Sequence, residues 1–220
     1  MLLGVMLLYV GAVLIVNGIW LLGQARAAEL QPATAAEPPP APAAEPQPAT
    51  AGGPGGAAVF ATVTKHPTYI ENREVAILNI FTGFVGVATA VTLAVQGNQD
   101  GDLASIRGGA YILLFAFTYL WVAYNQFAGA GGHAFGWYCL FVAITAIAAG
   151  AYTFSDANGN DASIYLGVDW FAWAVLWFLF FVLLALERPI ARITGWLAIL
   201  EGIGTSWVFA ILLLQGELTF

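Results

Sequence analysis

The sequence predicts an all-α integral membrane protein with six transmembrane helices, on three grounds. Six apolar segments reach the roughly 20 residues that a helix needs to cross a bilayer. Of 220 residues, 60% are hydrophobic and 9% are charged, against about 25% charged in a soluble domain, and the mean hydropathy is +0.80. Most connections are short and carry Gly, Asp and Asn (QGNQDGD, SDANGND, ERPIARITG), as expected between antiparallel neighbours in a bundle.

The first span is read over residues 1–23. It is followed by Ala25-Arg26-Ala27, which resembles a signal-peptidase site. No Lys or Arg precedes Arg26, however, and the apolar run outlasts the roughly 7–15 residues of a signal h-region. The segment is therefore expected to stay as a true span. Residues 24–73 are a different material, with a Pro/Ala/Gly/Glu-rich core, ELQPATAAEPPPAPAAEPQPATAGGPGG. Such a composition buries too little surface to offset chain entropy and predicts a disordered cytoplasmic linker. The remaining spans are read at about 74–96, 108–128, 134–154, 166–187 and 195–215. A short echo, LLYVG at 7–11 and CLFVA at 139–143, suggests two copies of a three-helix unit. With an odd number of helices, the second copy enters the membrane inverted, a common plan for solute pathways.

Charge orients the chain. Arg26, Lys65 and Arg73 flank the first connection, Arg188 and Arg192 lie between spans five and six, and Arg107 alone falls on the other side. The positive-inside rule makes the connection after span one and that between spans five and six cytoplasmic, and places both termini outside the cytoplasm. The net charge of −7, with six basic residues, gives no face for a nucleic acid. A single cysteine, Cys139, permits no intrachain disulfide. His66 and His133, the two histidines, have no Cys, Asp or Glu at metal-ligand spacing, so neither a metal nor another cofactor is expected.

The informative residues are polar and aromatic ones inside spans. Span one presents Leu7, Val10, Leu14 and Asn17 on one stripe, and span three presents Phe117, Trp121 and Tyr124. Span five, DWFAWAVLW, presents Trp170, Trp173, Leu176 and Trp177, and its tryptophans fall within about 60° of one another on a helix. Glu201 is the ionisable residue nearest the middle of a span, with no Lys or Arg at its depth. Singly, each stripe reads as core packing, Asn17 as interhelical glue and Glu201 as a protonated pin between helices. Together they favour a lined pore. A slot walled by indole and phenyl faces gives an ion no compensation for lost hydration. A small, flat, neutral solute can slide between ring faces, and planar amides fit that description best.

The stretches LLYVGAVLIVNGI, FTYLWVAYN, WYCLFVAI, DWFAWAVLW and WLAILEGI closely resemble those of the bacterial urea channel and amide transporter family. The likeness covers all six spans in order and omits the linker. It implies a six-helix protomer with its own pore, assembled as a homohexamer in the bacterial inner membrane. By this resemblance the pore residues are Val10, Leu14, Asn17, Phe117, Trp121, Trp170, Trp173, Leu176, Trp177 and Glu201. It also implies urea or short-chain amides as solutes, with a cytosolic urease or amidase as the partner that consumes them. Acid-gated members carry histidines in periplasmic loops. The outward loops here, about 97–107 and 155–165, contain none, so no histidine acid switch is expected. Three functions are weighed: a passive channel, a proton-coupled carrier of the same solutes using Glu201, and an intramembrane enzyme or sensor. The absence of paired intramembrane carboxylates and of a base beside Ser206 stands against an enzyme.

Overall fold

The computed structural model describes residues 2–30 and 69–220. Six helices among them are long and apolar enough to cross a bilayer, and the described residues contain no strand. They are α1 (Leu2–Leu30), α2 (Asn72–Asp100), α3 (Leu103–Ala128), α4 (His133–Ser155) and α5 (Asp161–Leu184), followed by a composite sixth span. That span runs as α6 (Ala191–Glu201), a π-helical stretch (Gly202–Val208) and α7 (Phe209–Gln215).

Caps, rather than hydropathy, set the helix ends, so several helices outrun their apolar windows. Asp102 caps α3 by accepting from the Ala104 N–H at 2.9 Å, which starts that helix five residues ahead of the expected 108. Asn160 does the same for α5 through the Ser163 N–H at 2.8 Å. Glu71 and Glu74 form a reciprocal capping box at the start of α2. Gly101 (φ 70°) and Gly129 (φ 62°) take the left-handed conformation that closes α2 and α3.

The linker expectation needs correction at both edges. α1 continues through GQARAAEL to Leu30, because Ala, Arg, Glu and Leu sustain a helix after the apolar run has ended. The Trp20 and Gln24 side chains both donate to Asn72 Oδ1, at 3.1 and 3.2 Å, and Arg192 pairs with Glu29 at 2.7 Å. These bonds join α1 to α2 and to α6. Residues 31–68 of the linker, with Lys65 and His66, lie outside the described residues.

Each helix packs on its neighbours in sequence, and the sixth span closes back on α1, so the six form a ring. The tightest packings pair α2 with α3, α4 with α5, and the sixth span with α1. That pairing is of three antiparallel couples. Glycine makes the α1 closure close. A Cβ on Gly18 would sit 2.5 Å from the Gly195 carbonyl oxygen, and one on Gly11 2.9 Å from the Trp207 backbone nitrogen. The two α1 glycines are seven residues apart, as are their antiparallel counterparts Gly195 and Gly202, so small residues let the backbones meet at two levels. Outside the ring, Phe84, Ile144, Trp196 and Leu200 are exposed, as contact with hydrocarbon requires.

Candidate functional site

Inside the ring lies a cavity of about 140 Å³. α5 supplies one wall: Trp170, Trp173, Leu176 and Trp177 are all buried and all line it. α3 faces them with Phe115 and Tyr119. The Phe115 ring lies 5.4 Å from Trp170, 5.6 Å from Trp173 and 5.7 Å from Trp177, centroid to centroid. Trp170 and Trp173 meet edge to face at 5.2 Å and 81°. Such tilted contacts suit the ring quadrupoles and fix the indoles as a wall. α1 closes the remaining side with Leu7, Val10 and Leu14, in the i, i+3, i+7 row read from the sequence.

At the end that carries the Asp102 turn, this cavity continues into a vestibule of about 590 Å³, and Leu3, Gly108, Leu166 and Trp170 line both spaces. The vestibule is polar where the cavity is not. Arg107 reaches Asp156 at 3.6 Å and lies 5.8 Å from the centre of the Tyr152 ring. The Ser105 hydroxyl, aided by the Ala104 N–H, holds the Asp102 carboxyl below its ordinary range. Toward the opposite end, which carries Arg192, a space of about 20 Å³ follows, separated from the main cavity at Leu14, Tyr119 and Trp177, which line both.

Asn17 lines that small space, one turn beyond Leu14. Its amide is already engaged: Asn79 Nδ2 donates to Asn17 Oδ1 at 2.8 Å and Asn17 Nδ2 donates to Asn79 Oδ1 at 3.1 Å.

The two α3 residues expected on the wall lie elsewhere. Phe117 is half exposed on the outside of the ring, as is Tyr124 of the same stripe. Trp121 packs between α3 and α4 against Phe135 and Tyr138, at 5.6 and 5.5 Å. The reason is helical: positions 115 and 117 differ by about 200° around the axis, so they point to opposite faces. The inward row on α3 is Ile112, Phe115 and Tyr119. Its i, i+3, i+7 spacing matches the tryptophan row on α5, and that match is the signal the sequence offered.

Glu201 is buried but off the cavity wall, with no hydrogen-bond partner for Oε2 among the described residues. Asp169 is a second buried carboxyl that sequence reasoning passed over, and its Oδ2 is likewise unpartnered there. Close to Glu201 the sixth span widens into its π-helical stretch, which side-chain hydrogen bonds tie to α5 and to the preceding turn. The Tyr165 hydroxyl donates to the Gly204 carbonyl at 2.6 Å. Trp173 Nε1 donates to Thr205 Oγ1 at 2.8 Å, and Thr205 Oγ1 donates to the Glu201 carbonyl at 2.7 Å. π-helical turns inside longer helices often mark functional sites. No group of three His, Cys, Asp or Glu residues at metal-binding separation occurs among the described residues.

An aromatic, uncharged cavity joined to a polar mouth suits small neutral solutes better than ions, which it would strip of hydration. The family model for AmiS/UreI family transporters matches residues 2–35 and 56–217. The chain belongs to this family.

This AmiS/UreI transporter is 34% identical over 215 residues to a proposed amidate-substrate transporter of Mycolicibacterium smegmatis, covering 97% of the chain and 77% of the relative. It is 33% identical over 168 residues to an acid-activated urea channel of Helicobacter pylori, covering 66% of the chain and 86% of the relative. Its fold matches the crystal structure of the Helicobacter pylori urea channel with a TM-score of 0.71 and 28% identity, over 100% of both chains. As a transporter of this family with six membrane-spanning helices, the protein is a multi-pass membrane protein.

Proposed function

We propose that this transporter is a passive channel for urea or short aliphatic amides, with the pathway inside each six-helix protomer. The observation that carries this reading is the wall of Trp170, Trp173 and Trp177 against Phe115, closed by aliphatic side chains of α1 and free of charge. A planar amide offers such a wall two flat faces and weak N–H contacts to π-clouds. The similarity to a urea channel and to an amide transporter supports the same solute class.

Glu201 lies off the wall, which favours passive flow over a carrier that moves a proton with each solute. Arg26, Arg73, Arg188 and Arg192 gather at one end of the ring and Arg107 at the other, so the Arg192 end is assigned to the cytoplasm of a bacterial inner membrane. The vestibule then opens outward, six protomers assemble as a homohexamer, and a cytosolic urease or amidase consumes the solute. The chain acts as a transporter without catalysis of its own.

Stopped-flow swelling of proteoliposomes in urea, acetamide and glycerol tests the reading. Urea and acetamide should enter faster than glycerol, with flux linear in gradient and indifferent to an uncoupler. Equal permeability to all three, or saturation with uncoupler sensitivity, would sink it.

A further inference from the structure

The slot's selectivity depends on where Trp173 points its N–H, and a residue outside the slot decides that. Thr205 lines none of the spaces described above. Its hydroxyl has one proton and two acceptor sites. The proton is used at 2.7 Å on the Glu201 carbonyl, so at 2.8 Å the oxygen accepts from Trp173 Nε1. The remaining contact, Ser206 Oγ at 3.3 Å, then has Ser206 as donor. Every bond Thr205 can make is assigned, and its direction is fixed.

We propose that Thr205 is a positioning residue for solute selection: by taking the Trp173 N–H, it holds the indole with its polar edge behind the wall. The slot then presents ring surface, packed on Phe115 and Trp170, and no strong donor to arrest an amide carbonyl in transit. The π-helical turn is what delivers the hydroxyl. The i to i+5 pattern widens the helix at Gly202–Val208 and brings Thr205 to α5 while its side chain still bonds back to the turn before it. Tyr165 anchors the same turn from two α5 turns away, through Gly204. The turn is thereby held at a second point, and its hydroxyl is fixed relative to the indole.

This inference rests on the solute class proposed above and concerns how that class is chosen. The test is the ratio of urea to glycerol permeability in proteoliposomes of full-length protein. Thr205→Val keeps the shape and removes the hydroxyl, and should lower the ratio by roughly fivefold, about what one neutral hydrogen bond is worth. Thr205→Ser restores the hydroxyl and should retain the ratio. In a Trp173→Phe background, which lacks the N–H, Thr205→Val should add no further change in ratio.

An equal loss of urea and glycerol flux in Thr205→Val would mean a general structural role and would overturn the proposal. So would an unchanged ratio, or an undiminished Thr205→Val effect in the Trp173→Phe background. Should Thr205→Val not fold, Thr205→Ala takes its place: a lowered ratio supports the proposal and a wild-type ratio defeats it. A wild-type protein that passes glycerol as fast as urea defeats the channel reading itself, an outcome distinct from all of these.

Discussion

Asn17 and Asn79 exchange their amides across the α1–α2 contact, each donating to the other at 3.1 and 2.8 Å. Asn79 also donates to the Val75 carbonyl at 2.9 Å, and both residues are buried. The pair uses one donor and one acceptor site of Asn17, which makes it a joint between helices beside the small space it lines. Replacing Asn79 with Leu leaves the Asn17 amide unpartnered, at a cost of about 1–2 kcal/mol. Replacing both with Leu should recover part of that loss, since no polar group is then stranded. Unfolding of the variants in detergent against the wild type measures both effects. A double variant no more stable than Asn79→Leu would count against the pairing.

The α3 face makes a sharper test. Phe115 touches three tryptophans inside the ring, whereas Phe117 lies half exposed outside it. Phe115→Ala should widen the slot and raise glycerol flux relative to urea by about tenfold, on the scale of one lost ring contact. Phe117→Ala should leave that ratio at its wild-type value. The reverse pattern, read from the same swelling traces, would return the pathway to the Phe117 and Trp121 face.

Backbone proximity at the α1 closure gives a third expectation. Gly18→Ala places a methyl 2.5 Å from the Gly195 carbonyl oxygen, and backbone cannot step aside as a flexible side chain can. Overpacking of this kind costs about 1–3 kcal/mol. Gly131→Ala meets nothing within 4 Å and should be neutral. Thermal unfolding in detergent separates them, and equal midpoints would contradict the close approach.

These contrasts explain which parts of the molecule were legible in the sequence. Six spans could be read because crossing a bilayer needs length and hydropathy alone. Helix ends could not, because Asp102, Asn160 and Glu71 start helices from polar positions that an apolar window discards. On α5 the tryptophans fall on one face, so the wall was readable. On α3 aromatic residues occupy both faces, and the pair chosen, Phe117 and Trp121, was the one facing away. Asp169 was passed over because it precedes the first tryptophan near a span end, where a carboxyl can reach water. In the fold it is 1% exposed. The π-helical turn had no periodic signature, since one extra residue in a turn shifts a pattern without erasing it.

The response to acid follows from the groups at the vestibule end. Among the described residues that end carries Asp100, Asp102, Asp156 and Asp161 and no histidine, while His133 begins α4 at the opposite end. Asp102 is held below its ordinary range by the Ser105 hydroxyl and the Ala104 N–H. For a carboxyl lowered in the folded state, the stabilising cap is present above the unfolded value, and it is lost as pH falls through the lower folded value. The whole of that window lies below about pH 4. Asp156 meanwhile pairs with Arg107 at 3.6 Å. The described residues of the vestibule end thus offer no histidine to act as a switch between pH 7.5 and 5. Urea flux across proteoliposomes should therefore vary by less than about twofold over that range, and introducing His at Asp156 should create a dependence centred near the ordinary histidine value of about 6.5. A tenfold rise in the unmodified protein between pH 7.5 and 5 would refute the expectation and place a gate among groups other than these.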